Sequence, residues 1–488
     1  MPNNTTTHDN RVRVRMYRQG LGDCFLIRFP KKEAASKDGY FHIVIDSGVL
    51  LGTANSTARM TEVAEDIKRE TGGEIDVLVV THEHWDHVSG FSTKQAQSVW
   101  ESVIIKAVWL AWTEDPKDSL AKKLRAGRAE QLTKLRLGLK QMGAALQMDA
   151  GRAERIRDLM AFNGWSHDAF GLSASGDNDG SGGGTADAMK YVGQRVAKPD
   201  YLTPGEIQKL SGVSGVRVFV LGPPYDEKKI KKSDPSKAHP EVYSDLSHGF
   251  AIGADDDTSV DDEAPTFAPE LRLSEDEYEN LESWVPGFQL PEKQRADFES
   301  SVLNYFQDPL RRLSAESLSE MESLAIALDG DTNNSSLVLA FELAPQGKVL
   351  LFVADAQVGN WLSWHEVTWK GASKLTANDL LARTVLYKVG HHGSHNATLK
   401  DLGLERMTSK DLMALIPVNQ EMAKKKKWNM PYPPLWKRLK ELTRGRVVLA
   451  DSVADLPSDT ELGKLTPNER KQFRTNVVAS DIAIDVFL

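Results

Sequence analysis

The sequence predicts an α/β protein in which two β-rich halves form one core that carries helical and loop-rich insertions. Three observations predict it: strand-like segments crowd both ends of the chain, a long segment with helical spacing lies between them, and Gly-rich and acidic stretches interrupt the middle. In the first half, RVRVRMY, CFLIRF and FHIVIDSG over residues 11–50 carry alternation and β-branched residues, and Gly20, Gly22 and Gly39 punctuate them. Residues 58–70 read as a helix. IDVLVV (75–80) is a near-continuous apolar run, as a strand covered on both faces requires, and ESVIIKAVWLAW (101–112) holds another strand.

The middle changes character. Residues 117–162 are rich in Ala, Leu, Lys, Arg and Glu, with Leu120, Leu124, Leu132, Leu135 and Leu139 at helical spacing, which predicts two helices or more. Residues 174–186 are Gly-, Ser- and Asp-rich and read as a loop. VRVFVLGPPYD (216–226) is a strand ending in a turn. Residues 251–300 carry fifteen acidic against three basic side chains and read as a loop-rich insertion, and residues 299–327 read as helical. Strands resume at 335–343, 349–356 and 384–390. LMALIPV (412–418), a lysine-rich loop, a helix near 434–443, RVVLAD (446–451) and a final strand over 481–488 complete the chain.

Composition narrows the chemistry. The chain has 488 residues, a net charge of -9, one cysteine (Cys24) and twelve histidines. A single cysteine excludes an internal disulfide framework and any site built from several thiolates, so a transition metal must sit on histidine and carboxylate. No apolar run approaches the ~20 residues of a membrane span, and the first residues lack an apolar signal core, which predicts a soluble, cytoplasmic protein without a membrane partner. The acidic stretch alone is worth -12, so the rest of the chain is slightly basic and the overall charge does not argue against an anionic substrate.

Half the histidines fall into two short clusters. Thr81-His82-Glu83-His84-Trp85-Asp86-His87 follows the strand IDVLVV, and the C-terminal end of a strand is where α/β enzymes place ligands. Alternate residues of an extended loop point the same way, so His82 and His84 can grip one ion while Asp86 and His87 turn toward a second. Imidazole and carboxylate suit zinc, manganese or iron. Asp355, at the end of VLLFVADA, is costly unless paired, hydrogen-bonded or metal-bound; a bridging carboxylate is one reading and a turn aspartate the other. Lys388-Val389-Gly390-His391-His392-Gly393-Ser394-His395 ends a third strand. His391 is the first choice of ligand there and His392 the second, with His395 a substrate contact or simply exposed. Asp46, in Ile45-Asp46-Ser47-Gly48, is placed to orient ligating histidines, unless it belongs to an ordinary turn.

Together these segments resemble the metallo-β-lactamase fold superfamily of metallo-hydrolases. The nearest resemblance is to the hydrolase domain of competence (DNA-uptake channel) proteins and their free-standing relatives. It rests on RQGLGDCFLI (18–27), IDSG (45–48), THEHWDH (81–87), NNSSLVL (333–339), FVADAQ (352–357) and KVGHHGS (388–394). The resemblance implies a four-layer αββα sandwich with a site for two divalent cations, Zn²⁺ or Mn²⁺. His82 and His84 would hold the first, Asp86 and His87 the second, Asp355 would bridge them, and His391 or His392 would complete the second set. Asp23 would lie beside the ligands with Asp46. Many members add a histidine between the first motif and the bridging aspartate. Here only His167, His239 and His248 lie in that interval, and none follows a clear strand, so either Asn333 or Asn334 helps fill the space or the first site is open. The implied organisation is residues 1–116 as the first half of the core, 117–205 as a helical and Gly-rich insertion, 206–226 as a core strand, 227–327 as an acidic and helical insertion and 328–488 as the second half.

The expected activity is metal-dependent hydrolysis by a metal-bridging hydroxide, with phosphodiesters of DNA or RNA as the leading substrate. Asp86 would accept the proton, and His395, Lys388 and the run Lys424, Lys425, Lys426 and Lys427 would supply positive charge. Basic residues beside an aromatic, here Trp428, can hold phosphates and stack a base. KKIKK (228–232) is a second basic run. A phosphoesterase or a lactone or thioester hydrolase acting on small molecules is the alternative, and a non-catalytic scaffold a third. A protein partner is compatible with so elaborated a chain, but no residue names one.

Overall fold

The computed structural model describes residues 10–32, 39–92, 95–141, 150–165, 184–236, 240–243, 315–451 and 456–488. The stretches read as a Gly-rich loop and as an acidic insertion, together with His167, His239 and His248, lie wholly or largely outside these residues.

Seventeen strands are described: β1 (Arg13–Tyr17), β2 (Cys24–Pro30), β3 (Tyr40–Ser47), β4 (Glu74–Ile75), β5 (Val77–Val80), β6 (Ile104–Ile105), β7 (Val108–Ala111), β8 (Asp200–Leu202), β9 (Ile207–Lys209), β10 (Val216–Gly222), β11 (Val338–Leu343), β12 (Lys348–Phe352), β13 (Thr384–Lys388), β14 (Met413–Ile416), β15 (Val447–Leu449), β16 (Val477–Ala479) and β17 (Ala483–Phe487). One sheet has the order β16-β17-β1-β2-β3-β5-β7-β8 and the other β15-β14-β13-β12-β11-β10-β9, while β4 and β6 pair apart.

Side-chain alternation makes these two sheets a sandwich. Ile43 and Ile45 of β3 and Val77 and Val79 of β5 share one core with Leu350 and Phe352 of β12 and Leu386 of β13. The intervening residues face outward: Val44, Leu78 and Val80 pack with Met60, Val63 and Ile67 of the helix Ser56–Glu70. Val349, Leu351 and Tyr387 pack with residues of the helices Val358–Ser363, Ala377–Ala382 and Pro433–Leu442. Burying strands on both faces against helices gives the four-layer αββα sandwich with insertions.

Several details differ from the sequence reading. Asp76 interrupts the run 75–80, splitting it into β4 and β5, because its carboxylate accepts the His42 backbone N–H (2.9 Å) and cannot be covered by apolar side chains. Strands β8, β9 and β16 are three residues each, too short to show alternation. β8 joins the first sheet from within the range read as insertion. The lysine-rich segment is not all loop: a helix spans Gln420–Lys425, capped by the Asn419 side chain, which accepts from the Met422 N–H (2.8 Å).

The two insertions also share one core. Helices Ser119–Gln141, Ala150–Phe162 and Ala315–Asn334 bury Leu135, Leu139, Ile156, Leu159, Met160, Ala325 and Leu328 together. Arg152 and Arg155 both reach Glu322, at 2.9 and 2.6 Å. These helices form a cap beside the sheet edge where β3, β5, β12 and β13 end. Pairing is parallel between β3 and β5 and between β12 and β13, so within each sheet the ends lie on one side. The Leu337 N–H donates to the Thr81 carbonyl (2.9 Å), tying the two sheets at that edge. No described helix is long and apolar enough to cross a membrane.

Candidate metal centre

The loop after β5 turns directly into the short helix Trp85–Val88, which swings Asp86 and His87 away from His82 and His84. Glycines let neighbouring backbone come close enough to hold it. A Cβ on Gly48 would lie 2.3 Å from the Asp86 carbonyl oxygen, and one on Gly22 would lie 2.6 Å from it. Only glycine fits there, which gives the glycines of IDSG and GLGD a physical role. The Asp23 N–H donates to that same carbonyl (3.0 Å).

Four positions around the centre hold non-glycine residues at positive φ: Asp46 (57°), Ala354 (49°), His391 (42°) and His392 (54°). Each costs ~1–3 kcal/mol and persists only where surrounding contacts enforce it, as at ligand clamps.

The donors form two adjoining sets. In the first, His82 Nε2 lies 3.1 Å from His84 Nδ1. Two ring nitrogens this close can share a hydrogen bond or face one cation together. In the second, Asp86 Oδ2 lies 2.9 Å from His392 Nε2 and 3.7 Å from His87 Nε2. His87 Nε2 in turn lies 3.1 Å from Asp355 Oδ2, and His391 Nε2 approaches that oxygen at 4.0 Å. All seven side chains are at most 2 % exposed. Asp86 Oδ1, His87 Nε2, both Asp355 oxygens and both His391 nitrogens have no hydrogen-bond partner. Buried polar atoms without partners are costly, and so many converging on one point fit divalent cations. Ligand atoms of Asp23, His87, Asp355 and His392 lie within 4.8 Å of one another. Asp86 completes that set better than Asp23, because the Asp23 carboxylate is engaged by the Lys388 ammonium.

The partners behind the donors are explicit. Asp46 Oδ2 lies 2.9 Å from His87 Nδ1, and the Asp46 carboxylate also accepts from the Thr81 N–H (2.8 Å) and hydroxyl (2.7 Å). His392 Nδ1 donates to the Pro417 carbonyl (2.7 Å). Both rings thus present Nε2 to the centre. Ser336 Oγ accepts the Asp355 N–H (3.2 Å). Lys388 is buried, donates to the Ala354 carbonyl (2.9 Å) and lies 3.5 Å from Asp355 Oδ1, so it orders the carboxylates. Asn334 is committed to backbone, donating to the carbonyls of Ile230 and Lys232. Asn333 donates to Asp329 (3.0 Å). His395 is half-buried against Tyr432, with ring centroids 6.0 Å apart.

Charge is divided between the sets. Burial opposes the charge of His87, but Asp355, Asp86, Asp23 and Asp46 outweigh it and hold its pKa well above the ordinary value. Burial likewise works against Asp355, which His87, His391 and Lys388 nonetheless hold well below the carboxylate range. Burial pushes His84 down to about 3 and His391 to about 4, leaving neutral rings with available lone pairs.

Residues 20–170 match the family model of the metallo-beta-lactamase superfamily. No curated protein and no solved structure matches the chain. The chain therefore carries a metallo-beta-lactamase superfamily domain, and members of that superfamily are generally metal-dependent hydrolases. The matched span holds Asp23, Asp46 and residues 81–87. Asp355, His391 and His392 lie beyond it, and the fold brings them to the same centre.

The cap reaches this centre at four points. Arg128 pairs with Glu83 (2.9 Å) inside the first motif. Phe162 lies against His84 and His391, with ring centroids 5.7 and 6.1 Å away, and stacks on Trp428 at 5.4 Å. Asp158 pairs with Lys426 (2.6 Å). The fourth is Asp329 Oδ1, buried and 3.7 Å from His84 Nε2. Asp329 escaped the sequence reading, since an aspartate within a helix carries no local signature. Its only hint is the spacing to Asn333, one helical turn on. Lys424, Lys425 and Lys427 are exposed. The second basic run is largely neutralised: Lys229 pairs with Glu366, Lys231 with Glu227 and Lys232 with Glu241.

Proposed function

We propose that the chain is a two-metal hydrolase that cleaves phosphodiesters of nucleic acid, with Zn²⁺ or Mn²⁺ as cofactor. The observation that carries the two-metal reading is the pair of adjoining buried donor sets, His82 with His84 and Asp86 with His87, His392 and Asp355, whose His82 and His87 ring centroids are 4.2 Å apart. Two cations ~3.5–4 Å apart would supply an activated water and clamp an in-line displacement. The protein's own groups do the rest. Asp86 Oδ1, which has no hydrogen-bond partner, would accept the proton given up in the attack. Asp46 and Pro417 hold the His87 and His392 rings in the tautomer that turns Nε2 inward. Phe162 and Trp428 exclude bulk water, which strengthens every electrostatic contact within.

Nucleic acid is supported by the exposed Lys424, Lys425 and Lys427 and by the resemblance of KVGHHGS and GLGDC to the hydrolase domain of DNA-uptake proteins, whereas Trp428, buried and stacked on Phe162, does not offer the expected face to a base. A second reading, a small phosphoester, lactone or thioester as substrate, is favoured by one observation: the cap leaves every donor at most 2 % exposed. The deciding experiment is hydrolysis of bis-p-nitrophenyl phosphate and of plasmid and single-stranded DNA by the purified chain with Mn²⁺ or Zn²⁺. Cleavage of both, lost in Asp86→Ala and Asp355→Ala, supports the nuclease. Cleavage of the small ester alone overturns it in favour of the second reading.

A further inference from the structure

A histidine that serves a metal commonly gives one nitrogen to the ion and one to the protein, and the group bound to the second fixes the tautomer. His87 and His392 follow this rule through Asp46 and Pro417. For His82, Nδ1 lies within reach of the hydroxyls of Thr81 (3.2 Å) and Ser336 (3.4 Å). His84 differs. Its Nδ1 faces His82 Nε2, and its Nε2 is buried with no hydrogen-bond partner. The acceptor facing that Nε2 is Asp329 Oδ1, at 3.7 Å, itself buried and without a partner.

Asp329 is built into place. It lies on the cap helix Ala315–Asn334 and is 1 % exposed, and the Asn333 amide one turn later donates to its other oxygen (3.0 Å). That leaves Oδ1 aimed at His84, from a cap helix rather than from a strand of the sandwich.

We infer that Asp329 is the positioning residue of the first metal site: its Oδ1, 3.7 Å from His84 Nε2, would close to hydrogen-bond distance when the site is loaded, accept from Nε2–H and so turn the Nδ1 lone pair toward the cation shared with His82. This rests on the two-metal reading above and deepens it. The cap would then govern occupancy of the first site by holding one of its ligands in register.

The test is a cobalt(II) titration of the full-length chain, followed by calorimetry and by the visible d–d bands, with circular dichroism confirming the fold of each variant. Wild type should take up two equivalents. Asp329→Ala should weaken one of them by ~10–100-fold and shift its bands, as losing an outer carboxylate does, while the other equivalent stays unchanged. Asp329→Asn, whose amide oxygen still accepts a hydrogen bond, should recover most of the affinity. Superimposable wild-type and Asp329→Ala titrations would overturn the inference and leave the two-metal reading standing. Equal loss in both variants would also overturn it, since the carboxylate would then act by charge or direct ligation. A wild-type chain that takes up no cobalt would bring down the two-metal reading itself.

Discussion

His392 Nε2 lies 2.9 Å from Asp86 Oδ2, across 306 residues of sequence and from the opposite sheet. Neither residue can make this contact unless the sandwich has closed, so the contact reports on the whole fold. Removing either side chain removes a donor. Asp86→Ala and His392→Ala should each lose one metal equivalent and lower hydrolysis by more than the ~10–100-fold that an outer partner costs. Metal analysis of the dialysed variants checks this, and two retained equivalents in His392→Ala would exclude that ring as a ligand.

Lys388 carries a different expectation. Its ammonium is 1 % exposed and lies among Asp23, Asp355 and the Ala354 carbonyl. Asp23 and Asp355 outweigh the burial that opposes its charge, and its pKa is raised. Replacing it with Met leaves two buried carboxylates without their cation, and breaking a buried pair from one side typically costs ~3–5 kcal/mol. Urea denaturation of metal-free Lys388→Met should show a loss of that order. Adding Asp23→Asn should restore part of it, because the two residues are coupled. Additive losses would show that Lys388 and Asp23 are independent.

The motifs that named the site were legible because each is local. His82 to His87, Asp355 and His391 to His395 follow strands whose alternation or continuous apolarity shows in a single stretch of sequence. The central strands of the two sheets were legible for the same reason, since Ile43, Ile45, Leu350 and Phe352 alternate with residues of the outer layers. What the sequence hid is non-local. Asp329 acquires meaning only when the helix Ala315–Asn334 packs on Leu135 and Ile156 from the other insertion. Whether His391 or His392 meets Asp86 depends on two consecutive left-handed residues, and no spacing rule supplies those. The structure sets His392 on Asp86 and leaves both nitrogens of His391 without partners, the latter 4.0 Å from Asp355.

Acid stability should depend on Asp76, far from the metals. Burial raises its pKa, but the His42 N–H, Lys106 and Lys31 outweigh that and hold the carboxylate below its ordinary value. A depressed folded pKa gives stability that is fully present above the unfolded value of about 3.9 and is lost as pH falls through the folded one. Urea midpoints between neutral pH and pH 3 should therefore drop more steeply in wild type than in Asp76→Asn. Parallel curves would remove Asp76 from the acid response.

The lysine cluster separates the two substrate readings. Lys426 is held by Asp158 of the cap at 2.6 Å, whereas Lys424, Lys425 and Lys427 are exposed. A phosphate backbone meeting the exposed three displaces counterions, and each contact contributes about 0.7–0.9 to the slope of log affinity against log salt. Replacing all three with Gln should reduce the salt slope of DNA binding by about 2 to 3 and leave hydrolysis of a small ester unchanged. Lys426→Met should act differently, because it releases the cap from the segment that carries Trp428. The rate on DNA should rise relative to the small ester as the wall formed by Phe162 and Trp428 loosens. If Lys426→Met changes both substrates equally, cap opening does not limit access. If the triple variant keeps the wild-type salt slope, the phosphates are held elsewhere.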